Sequence, residues 1–243
     1  EVGTGTVVIK KGQHYGAAGV YTLLAAKEGM IGFSTTSTGT ATVAAYGSTQ
    51  PGTANNALSW AIPTSGTPFV LDTAIAESSW GKIESMGMFG LPILPGWALD
   101  AAGHETTDAN AAKTLLPMSG ARGSALGFVA SALTSALIGR RNPIHKSPNP
   151  FGPGSDHFFQ AIDPSHFGAP DRFIKEIDAT IASIKELPPA EGVDQVRVAG
   201  ELEWERSEQW STAGIPFHCD QVRRLAEVCT ANCCDLPDGW PSN

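Results

Sequence analysis

His14 lies in a Gln13-His14-Tyr15-Gly16 segment between a β-branched run at residues 7–9 and a stretch of helical spacing at residues 16–28. A histidine at a strand-to-helix junction faces free backbone N–H groups and can serve as a general acid or base near neutral pH. The same residue can equally be a satisfied histidine at a helix start. Residues 34–42 form a hydroxyl-rich run, Ser-Thr-Thr-Ser-Thr-Gly-Thr-Ala-Thr. Hydroxyls beside a glycine can hold phosphate or ribose oxygens, or simply decorate a β edge. Asn55 and Asn56 are amides able to bind an amide or carboxylate, or to occupy a turn. Asp72, at the end of an expected strand, can accept a ribose hydroxyl or cap a helix. Arg122, just before the most apolar helical stretch, can pair with a phosphate or lie on the surface.

The elements that must position these residues follow from periodicity. Strands are expected at residues 7–9, 31–36, 41–45, 57–62 and 69–72, with one helix at 16–28 whose Val20, Leu23 and Leu24 share a face and whose C-cap position falls to Gly29. Residues 81–117 are rich in Pro and Gly and read as loop, with a short helix from about 107 to 116. A helix at 124–138 carries Leu126, Val129, Leu133 and Leu137 on one side. Residues 140–154 read as a basic loop and 158–162 as a strand. Pro170 suits a first helical position, ahead of a Phe173, Ile177, Ile181 and Ile184 stripe. A last strand is expected at 195–198, a charged tail at 201–206, and a final helix capped by Asp220. These divide the chain into a main domain at 1–140, a loop and helix-strand return at 141–200, and a helical tail at 201–243. No G-x-G-x-x-G follows a strand, so a Rossmann fold is not expected.

The 243 residues can bury one large core, and 16% charged with 42% hydrophobic residues reads as globular. A net charge of -8 argues against a nucleic-acid partner. The most apolar run, 124–139, is interrupted by Ser and Thr, so no membrane span is expected. All four cysteines, Cys219, Cys229, Cys233 and Cys234, fall at the end of the chain, unlike a secreted disulfide scaffold. A reducing, cytoplasmic setting is expected, and His218 with these thiols matches no zinc spacing.

The order of these segments resembles one family. His14 to Tyr21, His-Tyr-Gly-Ala-Ala-Gly-Val-Tyr, is similar to the H-(F/Y)-G-A-A-G-x-Y segment of the malate/L-lactate dehydrogenase family, which includes ureidoglycolate, sulfolactate and diketogulonate oxidoreductases and cyclic-imine carboxylate reductases. Gly29-Met30-Ile31-Gly32 and Leu71-Asp72-Thr73-Ala74 continue the match. Asn56 falls at the Asn of the family's G-T-N-P, with Asn55 and Ala57 in place of Thr and Pro. Pro95 to Asp100, Thr106-Thr107-Asp108, Gly120 to Leu126, Phe158 to Pro164 and Gly200-Glu201 follow in order, to about residue 217.

The resemblance implies an α+β fold of the L-sulfolactate dehydrogenase type: a largely antiparallel, non-Rossmann sheet with flanking helices. It implies proton transfer by His14 and contacts with NAD or NADP along Thr38, Asn56, Asp72, Thr73, Ala74, Arg122, Gly200 and Glu201. The substrate class is a 2-hydroxy or 2-oxo acid, or a related imino acid. Arg122 stands where the family usually has Lys, which keeps the charge and changes the hydrogen-bond geometry. The family's N-terminal H-S-H-G-x-x-R motif has no counterpart here, and the chain opens on Glu1. A processed chain is therefore expected, completed by a second chain that supplies this segment, with the assembled unit a homo-oligomer such as a dimer. The alternative is a non-catalytic subunit, or one turned to hydrolysis or cyclisation, on the same fold.

Overall fold

The computed structural model describes residues 2–146, 154–237 and 239–240. Part of the expected basic loop, residues 147–153, lies outside them. The chain divides into a unit at Glu1–Glu201 and a second at Leu202–Asn243.

In the first unit, strands β1 (Thr4–Gly12), β2 (Ile31–Ser37), β5 (Ala57–Ile62), β6 (Phe69–Ala74) and β10 (Ser155–Ile162) form a sheet ordered β1-β10-β2-β5-β6. Every neighbouring pair is antiparallel. A second sheet of short strands runs β4-β3-β9-β7-β8, from β3 (Val43–Ala44), β4 (Pro51–Thr53), β7 (Ala98–Leu99), β8 (Glu105–Thr106) and β9 (Thr114–Leu115). The fold is thus α+β with a largely antiparallel sheet, and the β-branched runs form strands where their alternation called for them. The apolar core gathers Val43, Ile75, Ile83, Ile93, Ala98 and Leu115, drawn from the second sheet, the connecting loops and α2 (Trp80–Met88).

Helices α1 (Gly19–Lys27) and α3 (Ala121–Thr134) cover opposite faces of the large sheet. Alternation along the strands separates the two faces. Ser34 and Ser59 turn to α1, bonding the Ala18 carbonyl and the Thr22 hydroxyl, whereas Asn56 turns to α3. Both helices bury small residues: Gly19, Thr22 and Ala26 on α1, and Gly123, Gly127, Ala130, Ser131 and Thr134 on α3. The expected apolar stripes face outward instead, with Val20 57%, Leu24 60%, Val129 50% and Leu137 61% exposed. Close approach explains the reversal. On α3 a Cβ on Gly127 would lie 2.8 Å from Thr53 Cγ2 on β4 and 3.1 Å from Ile75 Cδ1 just past β6, so a large side chain there would push the helix off these strands. Residues 121–138 are long and apolar enough to cross a membrane, but their small-residue face is packed on this sheet.

Other expectations are corrected. Residues 81–117 contain α2, capped by the Ser79 hydroxyl accepting the Lys82 N–H. The short helix expected from 107 to 116 is turns followed by β9, and 195–198 is not a strand, although Ala199 C=O accepts the Val70 N–H at the β6 edge. α4 (Pro170–Lys185) begins on its proline and carries the expected stripe.

The second unit holds most of α5 (Glu201–Ala213), where a charged tail was expected, and α6 (Cys219–Ala231). The cap of α6 is His218, not Asp220. Its Nδ1 accepts the Asp220 N–H while the Gln221 side chain accepts the His218 N–H. The four cysteines are free thiols.

Candidate active site

Antiparallel pairing brings the ends of β1, β2 and β6 and the start of β5 and β10 to one end of the large sheet. The N-terminus of α1 lies at this end, directly after the Gln13–Gly16 loop. Gly16 N–H donates to His14 Nδ1 at 3.1 Å. An acceptor Nδ1 requires the neutral ring to carry its proton on Nε2, so the atom left to exchange a proton is Nε2. His14 is itself exposed.

Asp72 turns to the face of the sheet that α1 covers. Its Oδ2 accepts the Gly19 N–H at 2.7 Å, so the carboxylate caps α1, whose own N-cap residue is Ala18. A carboxylate at a helix N-terminus is stabilised by unpaired N–H groups and the helix dipole. Burial pushes the Tyr15 phenol up to about 12, with nearby Ser34 pulling down and the Asp72 charge adding to the rise. Tyr15 stacks on Tyr21 at 5.0 Å and on His157 at 4.5 Å.

The other expected site residues divide into three groups. Ala74 shares Asp72's face, while alternation turns Thr73 away, its hydroxyl donating to the Ala74 carbonyl. β6 is the last strand of the sheet, and because Val70 N–H points outward to Ala199, the backbone groups of Asp72 and Ala74 face outward too. Gly200 lies against Val70 on this edge, and Glu201 binds Lys185 and the Val198 N–H. Burial would raise the Glu201 carboxyl, but the Lys185 and Val198 hydrogen bonds outweigh it and hold the carboxyl below its ordinary range. Arg122 is exposed in the first turn of α3, where Gly123 packs onto the Ile75 carbonyl, one residue past Ala74. Thr38 follows β2 at the same end, beside Ser37, whose buried hydroxyl has no partner among the described residues.

Asn56 is different. It is fully buried, and its amide donates to the Gly127 carbonyl and the Ser131 hydroxyl, tying α3 to the sheet. Asn55 bridges the Ser78 carbonyl and the Ala76 N–H.

Two residues that sequence reasoning passed over, Asp156 and His157, stand at the centre of this end. The only local signal was an Asp-His pair just ahead of an expected strand. Their partners are more than a hundred residues away in sequence on one side.

This end of the sheet offers outward edge amides, hydroxyls, a carboxylate and an exposed cation at a helix start. That donor set fits a dinucleotide, whose diphosphate takes a cation and N–H groups and whose riboses take hydroxyl and carboxylate partners.

A family described as malate/L-lactate dehydrogenase matches residues 1–226. The chain belongs to that family. It is 30% identical over 239 residues to malate dehydrogenase of Pyrococcus horikoshii, covering 94% of this chain and 66% of that protein. It is 32% identical over 224 residues to Delta(1)-pyrroline-2-carboxylate reductase of Ancylobacter novellus, covering 88% and 64%. Among solved structures, sulfolactate dehydrogenase from Methanocaldococcus jannaschii superposes with a TM-score of 0.82 at 28% identity, covering 96% of this chain and 68% of that one. The chain therefore spans about two thirds of the length of the relatives it matches.

Proposed function

We propose that this chain carries the cofactor-binding and proton-transfer half of an oxidoreductase. The reaction moves a hydride between NAD or NADP and a 2-hydroxy or 2-oxo acid, or a related cyclic imino acid. The observation that carries the reading is His14: the Gly16 N–H on Nδ1 leaves Nε2 as the proton-bearing atom at the mouth of the site. In the reductive direction the imidazolium form gives its Nε2 proton to the oxygen or nitrogen that gains negative charge and keeps the proton on Nδ1, which is then released from the Gly16 N–H; in the oxidative direction the ring protonated on Nδ1 takes the proton on Nε2. The nicotinamide, when bound, supplies or takes the hydride. Arg122 would hold the diphosphate, Thr38 and Asp72 the hydroxyls, and the β6 edge at Asp72 and Ala74 the amide groups, with Gly200 keeping the chain close to that edge.

The groups of the family's H-S-H-G-x-x-R motif are supplied, in this reading, by a second polypeptide, and the assembled unit pairs with a copy of itself. Support comes from the large apolar residues left exposed on α1 and α3, a surface that association would cover. The setting proposed is the cytoplasm.

The test is titration of the complete assembly with NADH and NADPH, followed by protein fluorescence. Turnover is then assayed with malate, lactate, sulfolactate, ureidoglycolate and pyrroline-2-carboxylate. Saturable quenching by one cofactor and turnover of one substrate class are expected. Binding of neither cofactor overturns the reading and leaves the non-catalytic subunit in its place. Native mass measurement beside denaturing electrophoresis tests the partner: a monomer of this chain alone with normal turnover removes it.

A further inference from the structure

Strand β1 does not end regularly. Its register with β10 passes from Ile9 opposite His157 to Gly12 opposite Ser155, so Lys10 and Lys11 together face Asp156. Lys11 has φ 61, the left-handed region that a lysine rarely adopts. Such a bulge re-aims the chain after it, and the chain after it is Gln13-His14.

Asp156 and His157 hold this bulge from the two faces of the sheet. The Asp156 side chain is fully buried, and its Oδ1 accepts the Lys11 N–H at 3.2 Å. The carboxylate is held in place by the Ser135 hydroxyl at 2.9 Å, Arg140 Nε at 2.7 Å and Lys146 Nζ at 3.2 Å. His157 turns the other way. Its Nε2 lies 3.0 Å from the Gln13 carbonyl, which can only accept, so Nε2 carries the proton. Nδ1 then accepts the Thr36 hydroxyl at 2.9 Å. The ring stacks on Tyr15 with an interplanar angle of 13°. One imidazole therefore grips the residue before His14 through its carbonyl and the residue after it through its ring. Gly12 is shaped to this contact: a Cβ there would sit 2.7 Å from His157 Nε2. Burial lowers the His157 pKa, opposed by the Gln13 carbonyl and Asp156 and assisted by His14, in keeping with a neutral donor near pH 7.

We propose that His157 is a positioning residue for His14: seated on the bulge that Asp156 secures, it fixes the Gln13 carbonyl and the Tyr15 ring and so sets the place of the His14 imidazole. Its effect on turnover rests on the reading in which His14 moves a proton. Its effect on the loop does not.

Two substitutions separate the donor from the ring. H157F keeps an aromatic ring for Tyr15 and removes the N–H, whereas H157Q keeps an N–H within reach of Gln13. Amide hydrogen exchange at residues 13–16, with Gly16 N–H reporting the bond to His14 Nδ1, reads the loop in the full assembly without any turnover. In H157F, exchange there is expected to rise about five- to tenfold, the scale of one lost hydrogen bond, with α1 amides unchanged. kcat is expected to fall about ten- to hundredfold, the usual consequence of a reacting group misplaced by a fraction of an ångström to an ångström, with cofactor affinity held within about twofold. H157Q should restore most of both. G12A approaches from the other side, pushing the ring off the carbonyl, and should raise exchange at the same amides, which keeps the test decisive if H157F fails to fold. Wild-type protection at residues 13–16 in the folded variants overturns the proposal. Lost protection with unchanged turnover upholds the positioning and removes His14 from the chemistry.

Discussion

Helices α1 and α3 pack on opposite faces of one sheet by the same device, a strip of small residues, yet their N-termini are built differently. At α1 the first turn is enclosed. Asp72 accepts the Gly19 N–H, Tyr15 and Tyr21 stack beside it, and the preceding loop is pinned at the Gln13 carbonyl. At α3 the first turn opens at Gly120, has no side-chain cap, and presents Arg122 to solvent. An enclosed terminus holds a side chain in one place, as proton transfer requires. An open terminus with a cation suits an anion that arrives and leaves. Under the proposed function, the two ends would divide the work of the site between a fixed group and an electrostatic one.

The sharpest way to break this contrast is at the fixed end. His14→Ala should reduce turnover of the complete assembly by about 10²- to 10⁴-fold, the usual worth of a general acid or base, with cofactor affinity changed only a few fold. Steady-state kinetics beside a cofactor titration checks it, and a variant keeping near-full kcat removes His14 from the mechanism.

A second comparison lies within α3. Gly127→Val drives a side chain into Thr53 and Ile75 and should cost about 1–3 kcal/mol by overpacking, read as a lowered midpoint in urea. Val129→Ser, two residues on and half exposed, should leave that midpoint nearly unchanged. A larger loss at Val129 than at Gly127 would mean that the wrong face has been assigned to the sheet.

The smallest effect is expected at the open end. Arg122→Ala should weaken cofactor binding about two- to fivefold, more at low salt than at high, because an exposed charge pair is screened. Affinity independent of both the substitution and the salt would leave Arg122 a surface residue.

The strands of the large sheet were legible because alternation and β-branching act within a few residues. Residues 57–62 were bounded from sequence as the structure has them, and β2 and β6 within one or two residues. Helix positions were legible for the same reason, but the buried faces of α1 and α3 were not. Spacing of Leu and Val identifies a stripe. It does not say whether the sheet approaches so closely that only glycine, alanine and serine fit beneath. α2 was hidden by the glycines and methionines around it, and α5 by its charge, since neither shows an apolar period that stands out from a loop.

His14, Asp72 and Arg122 could be named because each carries its chemistry in its type and its place beside a strand or helix end. The Leu-Asp-Thr-Ala and His-Tyr-Gly segments do the same for the family resemblance, being local strings readable without any tertiary contact. The tautomer of His14, the capping of α1 by Asp72 and the burial of Asn56 against α3 were not readable in this way. Nor was the grip of Asp156 and His157 on the β1 bulge. Those are contacts between residues 53 to 145 positions apart, except for the His14–Gly16 bond. Residue type and local spacing fix what a side chain can do and which strand or helix carries it. Which partner it meets depends on the register of β1, β10 and β2, and that register is set by the packing of the whole sheet between its two helices.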